Sequence, residues 1–300
     1  MKTTFSKKQI ADFLEIKEKD LEPLIGGNVS QAFGYLSKDN QKLVIRVSSI
    51  NELYLGDEYA FVNFGLKLPI PKVVEHGSFT KDTYYCITQR AEGKTITALD
   101  EDQFRDAFDN IHKTIAKIYT VDVSKTQGFG SINVNSGNGK CSSWKEAMQT
   151  RLESLKEKDL KNNAKNIGID PSLIDYFISI IEKNIDYLIE LRTLSHGDLG
   201  SDNILVKNRE VTALIDWANL GYTDWLYDYM KLEFWWPNKY MDAVKFGKLY
   251  NLNLTNFEKR KAVYIARSAL SVINWADEYK AWNIVKLVKV NLDQIVKSLA

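Results

Sequence analysis

The chain has 300 residues, 44% hydrophobic and 26% charged, with 40 basic and 39 acidic side chains and a formal charge of +1. That length suits two lobes around ample core material, and the balanced charge excludes a broad nucleic-acid face. The two cysteines, Cys86 and Cys141, give no disulfide framework or metal spacing, and no apolar run is long enough to span a membrane. The opening stretch MKTTFSKKQIADFLEIKEK lacks the apolar core of a signal peptide, so a cytoplasmic protein is expected.

In chain order, SQAFGYLS and KLVIRVS predict two strands of a hairpin turned at KDNQ. NELYLGDEYAFVNFGL has helical spacing and stops before the two prolines of LPIPKV, and TYYCIT is a further strand. To about residue 88 the chain therefore reads as a small sheet with one helix. After QRAEG the character changes. Phe104, Phe108, Ile111, Ile115 and Ile118 stripe one face of a helix over 101–120. SINVNSGNGKCSS reads as a polar loop, 144–158 and 171–191 as helices, and most of the chain from 225 onward as helix. The expectation is an α+β chain with a nucleotide-binding lobe at 1–90, a hinge at about 89–95, and a larger, mainly helical lobe at 96–300.

The segment LSHGDLGSDNILV concentrates His196, Asp198 and Asn203 among glycines and then enters a strand. NILV and VTALI pair antiparallel across the turn KNRE, so that Val206 faces Val211 and Asn203 lies near Leu214, about two residues from Asp216. An amide oxygen and a carboxylate at one hairpin end are hard ligands suited to Mg²⁺, which fills its other positions with phosphate and water. Asp198, in the loop feeding that end, can orient a hydroxyl and accept its proton. Together these are the parts that phosphoryl transfer needs. Any one of these residues taken alone also fits a polar hairpin capped by Asx turns.

HGDLGSDNIL followed by ALIDW resembles the catalytic and metal segments of the aminoglycoside phosphotransferase family, relatives of the protein kinases. LPIPKVVEHGSF, YYCITQRAEGKT and KTQGFG are similar to its hygromycin B phosphotransferase branch, and the resemblance runs from about residue 24 to 236. It implies a two-lobed protein-kinase-like fold, with a small β-sheet lobe carrying one main helix and a larger helical lobe. It further implies ATP and Mg²⁺ as cofactors, Asp198 as the catalytic aspartate, and Asn203 and Asp216 as the metal ligands. His196 would brace the loop.

On the nucleotide side, Gly26, Gly27 and Ser30 occupy the place of the loop over the phosphates. Arg46 stands where most of the superfamily has a lysine, with Glu58 as its expected partner and Glu52 as second choice. Gln89, Arg90 and Ala91 occupy the hinge that reads the adenine edge. Six of the seven tryptophans fall within 217–282, among acidic residues. Aromatic faces beside carboxylates suit a polyhydroxylated cation, and Trp235 and Asp224 are assigned to an amino-sugar pocket with Asp198. The expected activity is ATP-dependent phosphorylation of an aminoglycoside hydroxyl, with a hygromycin B-like acceptor favoured and no nucleic-acid or membrane partner. A sugar, amino alcohol or macrolide kinase shares the same motifs. An inactive nucleotide-binding module would explain Arg46 and the incomplete glycine loop.

Overall fold

The computed structural model describes residues 5–24, 29–237 and 239–299. The chain divides by contact into two compact units: 1–114 with 201–219, and 115–200 with 220–300. Each is described by itself.

The first unit begins with α1 (Lys7–Leu14), β1 (Glu22–Leu24), β2 (Gln31–Leu36), β3 (Lys42–Ser48) and α2 (Glu52–Phe64). It continues through β4 (Val73–Thr80), β5 (Thr83–Gln89), the short β6 (Lys94–Thr95) and the start of α3 (Glu101–Tyr119). β1 to β5 form one antiparallel sheet in the order β1-β2-β3-β5-β4. In β3 the period of two buries Leu43, Ile45 and Val47 in a cluster with Ile10 and Ala11 of α1, leaving Val44 and Arg46 for the opposite face. Helix α1 is absent from the sequence expectation of a single helix in this region. It is nucleated by a capping box in which the Ser6 hydroxyl accepts from the Gln9 N–H and the Gln9 side chain accepts from the Ser6 N–H.

The second unit opens with the end of α3, then β7 (Phe129–Asn133), β8 (Asn138–Cys141), α4 (Trp144–Lys156), α5 (Leu160–Asn166), α6 (Ser172–Asn184) and β9 (Thr193–Ser195). The chain then returns to the first unit for β10 (Ile204–Lys207) and β11 (Glu210–Leu214), which form a sheet of order β11-β10-β6. It re-enters the second unit at β12 (Gly221–Thr223) and ends in α7 (Trp225–Trp235), α8 (Ala243–Leu249), α9 (Phe257–Glu278) and α10 (Trp282–Leu299). The segment read as a polar loop, 131–143, is instead part of the β7–β8 hairpin, and β7 pairs with β12 in a sheet of order β8-β7-β12-β9. The cause is local. Gly128 and Gly139 let the two strands approach more closely than a side chain would allow, since a Cβ on Gly139 would meet the Phe129 nitrogen at 2.3 Å. Among the described residues no helix is long and apolar enough to cross a membrane.

Candidate active site

In the first unit the β10–β11 hairpin carries the two expected metal ligands. Val206 pairs with Val211, as expected, but a bulge between Leu205 and Val206 shifts the ladder so that Ile204 faces Leu214. Asn203 consequently lies one step further along, with its carbonyl accepting the Ile215 N–H at 3.0 Å. Asn203 is thus next to the residue preceding Asp216. Thr212, the extra residue, turns its hydroxyl to the carbonyls of Glu92 and Leu205. Asp216 itself adopts the left-handed backbone region at φ 65°, which a non-glycine residue rarely occupies and which is frequent at functional sites.

Arg46 points from β3 toward α2, where Asp57 receives its guanidinium and the Tyr54 ring lies 5.4 Å from Cζ. This corrects the expected partners. Tyr54, Asp57, Ala60 and Phe64 share the buried face of α2, whereas Glu52 and Glu58 point outward and are exposed. Glu58 instead meets His76 Nε2 at 3.0 Å. Burial works against the Arg46 charge, but the Asp57 carboxylate outweighs it and holds the guanidinium above its ordinary value, with Asp216 adding to the effect. The second oxygen of Asp57 accepts the Trp217 N–H at 2.8 Å. One carboxylate therefore ties the strand arginine to the residue following Asp216.

Two of the three hinge residues have their N–H groups engaged within the sheet: Gln89 donates to the Lys72 carbonyl and Arg90 to the Lys42 carbonyl, both at 2.9 Å. The Arg90 side chain forks onto Glu22 across Gly34, where a Cβ would come within 2.6 Å of the guanidinium. Ala91 follows with no backbone partner for its N–H among the described residues. Ser30 is half-buried beside β2. Gly26 and Gly27 lie outside the described residues.

In the second unit, Asp198 sits on a loop fastened from α7. Asp228, fully buried, accepts the His196 N–H at 2.9 Å and the Gly197 N–H at 3.0 Å. Burial pushes the Asp228 carboxyl up, while His196, Lys231 and the two N–H bonds pull it down. His196 is buried, and its Nδ1 accepts the Asp198 N–H at 3.3 Å, so it braces the loop. The Asp198 side chain is exposed, with Lys231 Nζ 3.6 Å from Oδ1. This is the geometry of an accessible acceptor on a rigid support.

The phosphotransferase enzyme family model matches residues 24–245. The chain belongs to that family. Hygromycin-B 4-O-kinase of Escherichia coli is 28% identical over 227 residues, covering 73% of this chain and 63% of that relative, so the chain spans less than two thirds of its length. A thermostable mutant of aminoglycoside phosphotransferase APH(4)-Ia, solved in ternary complex with AMP-PNP and hygromycin B, superposes with a TM-score of 0.79 at 25% identity, covering 99% of both chains. The crystal structure of aminoglycoside phosphotransferase APH(4)-Ia gives a TM-score of 0.81 at 24% identity, covering 98% of this chain and all of that one. The fold is that of the protein-kinase-like aminoglycoside phosphotransferases.

The residues assigned to an amino-sugar pocket depart from expectation at Asp224. The carboxylate is wholly buried and caps α7 through the Leu226 N–H. It also accepts from Arg260 Nε at 2.7 Å, Arg260 Nη2 at 2.6 Å and the Tyr264 hydroxyl at 2.6 Å. A carboxylate so committed has no lone pair left for an amino sugar, and Asp224 is a structural anchor between α7 and α9. Trp235 is only half-buried, edge-on to Phe234 and Trp275 at 5.4 and 6.4 Å between ring centroids. Among the described residues no three His, Cys, Asp or Glu side chains cluster as a metal cage. An amide oxygen and a carboxylate, as at Asn203 and Asp216, fit a cation that completes its shell with phosphate and water.

Proposed function

We propose that the chain transfers the γ-phosphoryl group of ATP to a hydroxyl of an aminoglycoside, with a hygromycin B-like acceptor favoured. The observation that carries this reading is the tie among Arg46, Asp57 and the Trp217 N–H beside the hairpin end that holds Asn203 and Asp216. Arg46 would grip the triphosphate and Asp57 would hold Arg46 in place. Asn203 and Asp216 would hold Mg²⁺, which when bound supplies positive charge to the phosphates. Asp198 would aim the acceptor hydroxyl and accept its proton. Ala91 is the hinge residue whose N–H is free to meet the adenine edge, with the nucleotide half taken as 1–90, the hinge as 89–95 and the acceptor half as 96–300. The half-buried aromatic side of Trp235 would stack on the sugar. The name of the Escherichia coli relative and the AMP-PNP–hygromycin B complex of the structural neighbour support both substrates. The free cysteines and the lack of a membrane-length helix among the described residues are consistent with a cytoplasmic enzyme.

Incubating the protein with Mg-ATP and a panel of aminoglycosides, sugars, amino alcohols and macrolides tests this directly. ADP release together with an acceptor gaining one phosphoryl group is the expected result for hygromycin B. Turnover confined to a non-aminoglycoside would replace the acceptor and keep the chemistry. Nucleotide binding without ADP release for any acceptor would leave the inactive module.

A further inference from the structure

Three helices of the second unit bring cations to a single aromatic ring. Arg151 of α4, Arg267 of α9 and Lys231 of α7 lie with Cζ, Cζ and Nζ at 5.2, 5.5 and 5.8 Å from the centroid of Tyr227. A cation over an aromatic face is ordinary; three over one buried ring repel one another and need a counter-charge.

Neither Arg151 nor Arg267 has an ion pair among the described residues, and Arg151 Nη1 and Arg267 Nε are buried without a hydrogen-bond partner. The remaining polar contact of Arg151 is a long one, from Nη2 to the Ser131 hydroxyl at 3.4 Å. The carboxylates facing the cluster are Asp198, 3.6 Å from Lys231, and Asp228, whose two oxygens already accept from the loop N–H groups. Charge therefore exceeds counter-charge, and donors are left over.

We propose that Arg151, Arg267 and Lys231 form a phosphate-binding site around Tyr227, beside Asp198. Two guanidinium forks and an ammonium match a tetrahedral oxyanion, which offers several acceptor oxygens and up to two negative charges. A cationic amino sugar would be repelled from this corner, so it is not the sugar's seat. The placement beside Asp198 rests on the phosphotransferase reading. There the phosphate would be the monoester just formed on the acceptor, or inorganic phosphate in its place. Tyr227 supplies a reporter. Burial alone would push its phenol up, but Arg151, Arg267 and Lys231 outweigh burial and bring it down to about 8. A bound phosphate would neutralise those cations and release the phenol upward.

The test uses the full chain, saturated with Mg-ADP to occupy the nucleotide site, and follows tyrosinate absorbance against pH. Wild type should show one tyrosine ionising near pH 8, a step missing in Tyr227→Phe. Inorganic phosphate, against chloride at equal ionic strength, should move that step up by a pH unit or more. Equilibrium dialysis with inorganic phosphate should show at least tenfold weaker binding in Arg267→Gln and in Arg151→Gln, whichever of the two keeps the wild-type circular dichroism, and unchanged binding in Arg46→Gln. Phosphorylated acceptor, where the enzyme produces one, should compete with inorganic phosphate; failure to compete assigns the site to the free anion. A step that phosphate does not move, or phosphate binding lost in Arg46→Gln and kept in the other two variants, overturns the proposal. The tyrosinate titration and the dialysis with inorganic phosphate require no turnover, so they stand or fall separately from the acceptor panel.

Discussion

Asp57 carries two bonds whose loss has different consequences. Replacing it with Asn removes the negative charge from a half-buried arginine while keeping the shape and one acceptor. Breaking one side of a buried pair typically costs about 3 kcal/mol, because the other charge is left uncompensated. Asp57→Asn is therefore expected to lower the unfolding free energy, read from chemical denaturation, by that amount and to raise the Michaelis constant for ATP. Glu58→Gln, on the outer face of α2, is expected to stay within about 0.5 kcal/mol of wild type. Equal effects from the two variants would remove Asp57 from its proposed role. Asp198→Asn makes the complementary test. Its side chain is exposed, 3.6 Å from Lys231 Nζ, so turnover should fall about 100-fold or more while ATP affinity stays within a few-fold. Steady-state kinetics with nucleotide titration separates the two quantities, and near-normal turnover would end the catalytic role proposed for Asp198. The loop and hairpin that carry Asp198, Asn203 and Asp216 were legible in the sequence because the spacing of so short a segment is nearly its geometry. Asp57 was missed by one position, although the helical stripe Tyr54–Asp57–Ala60 marks the buried face of α2. Asp224 was misassigned because a carboxylate beside tryptophans reads the same whether it meets a sugar or an internal arginine.

At the scale of elements, the β10–β11 hairpin is held in register by neighbours that no pairing rule contains. β6 adds to its edge through Leu205 with Thr95 and Val206 with Lys94, and the Leu214 N–H reaches the Pro69 carbonyl at 2.8 Å. Gly93 makes the β6 approach possible: its φ is 126°, and a Cβ there would come within 2.6 Å of the Val206 carbonyl oxygen. Gly93→Ala should consequently destabilise the first unit by about 1–3 kcal/mol, since both backbone conformation and contact oppose the methyl group. Chemical denaturation measures this; an unchanged midpoint would mean that the strand relaxes away at no cost. The same hairpin shows the limit of register prediction. Val206 opposite Val211 follows from the turn, whereas the bulge at Thr212 answers to the carbonyl of Glu92, a residue far away in sequence.

For the whole molecule, ligand binding should appear as stability. A ligand at about 100 times its dissociation constant adds about 2.7 kcal/mol to the state that binds it. Mg-ATP is expected to raise the Tm of wild type, and Asp216→Ala should lose most of that rise, because the carboxylate brings a full charge to the cation where Asn203 brings only a dipole. Differential scanning fluorimetry with and without Mg²⁺ decides it; equal shifts in the two proteins would exclude Asp216 as a ligand. Unfolding of a chain with two compact units need not be two-state, so the comparison rests on the transition that Mg-ATP moves.

The sequence by itself determined the α+β class, the strands β2, β3 and β5, the helices α2, α3, α4 and α6, and the loop and hairpin carrying Asp198, Asn203 and Asp216. Each of these is written in local periodicity or in a motif shorter than 25 residues. Tertiary structure alone decided the partner of Arg46, the burial of Asp224 against Arg260, the gathering of Arg151, Lys231 and Arg267 on one ring, and the return of 201–219 to the first unit. The physical reason is that a charge carries no mark of its partner along the chain. Its pairing is chosen by which faces the packed helices and strands leave opposite one another, and by the cost of leaving a buried charge without a counter-charge.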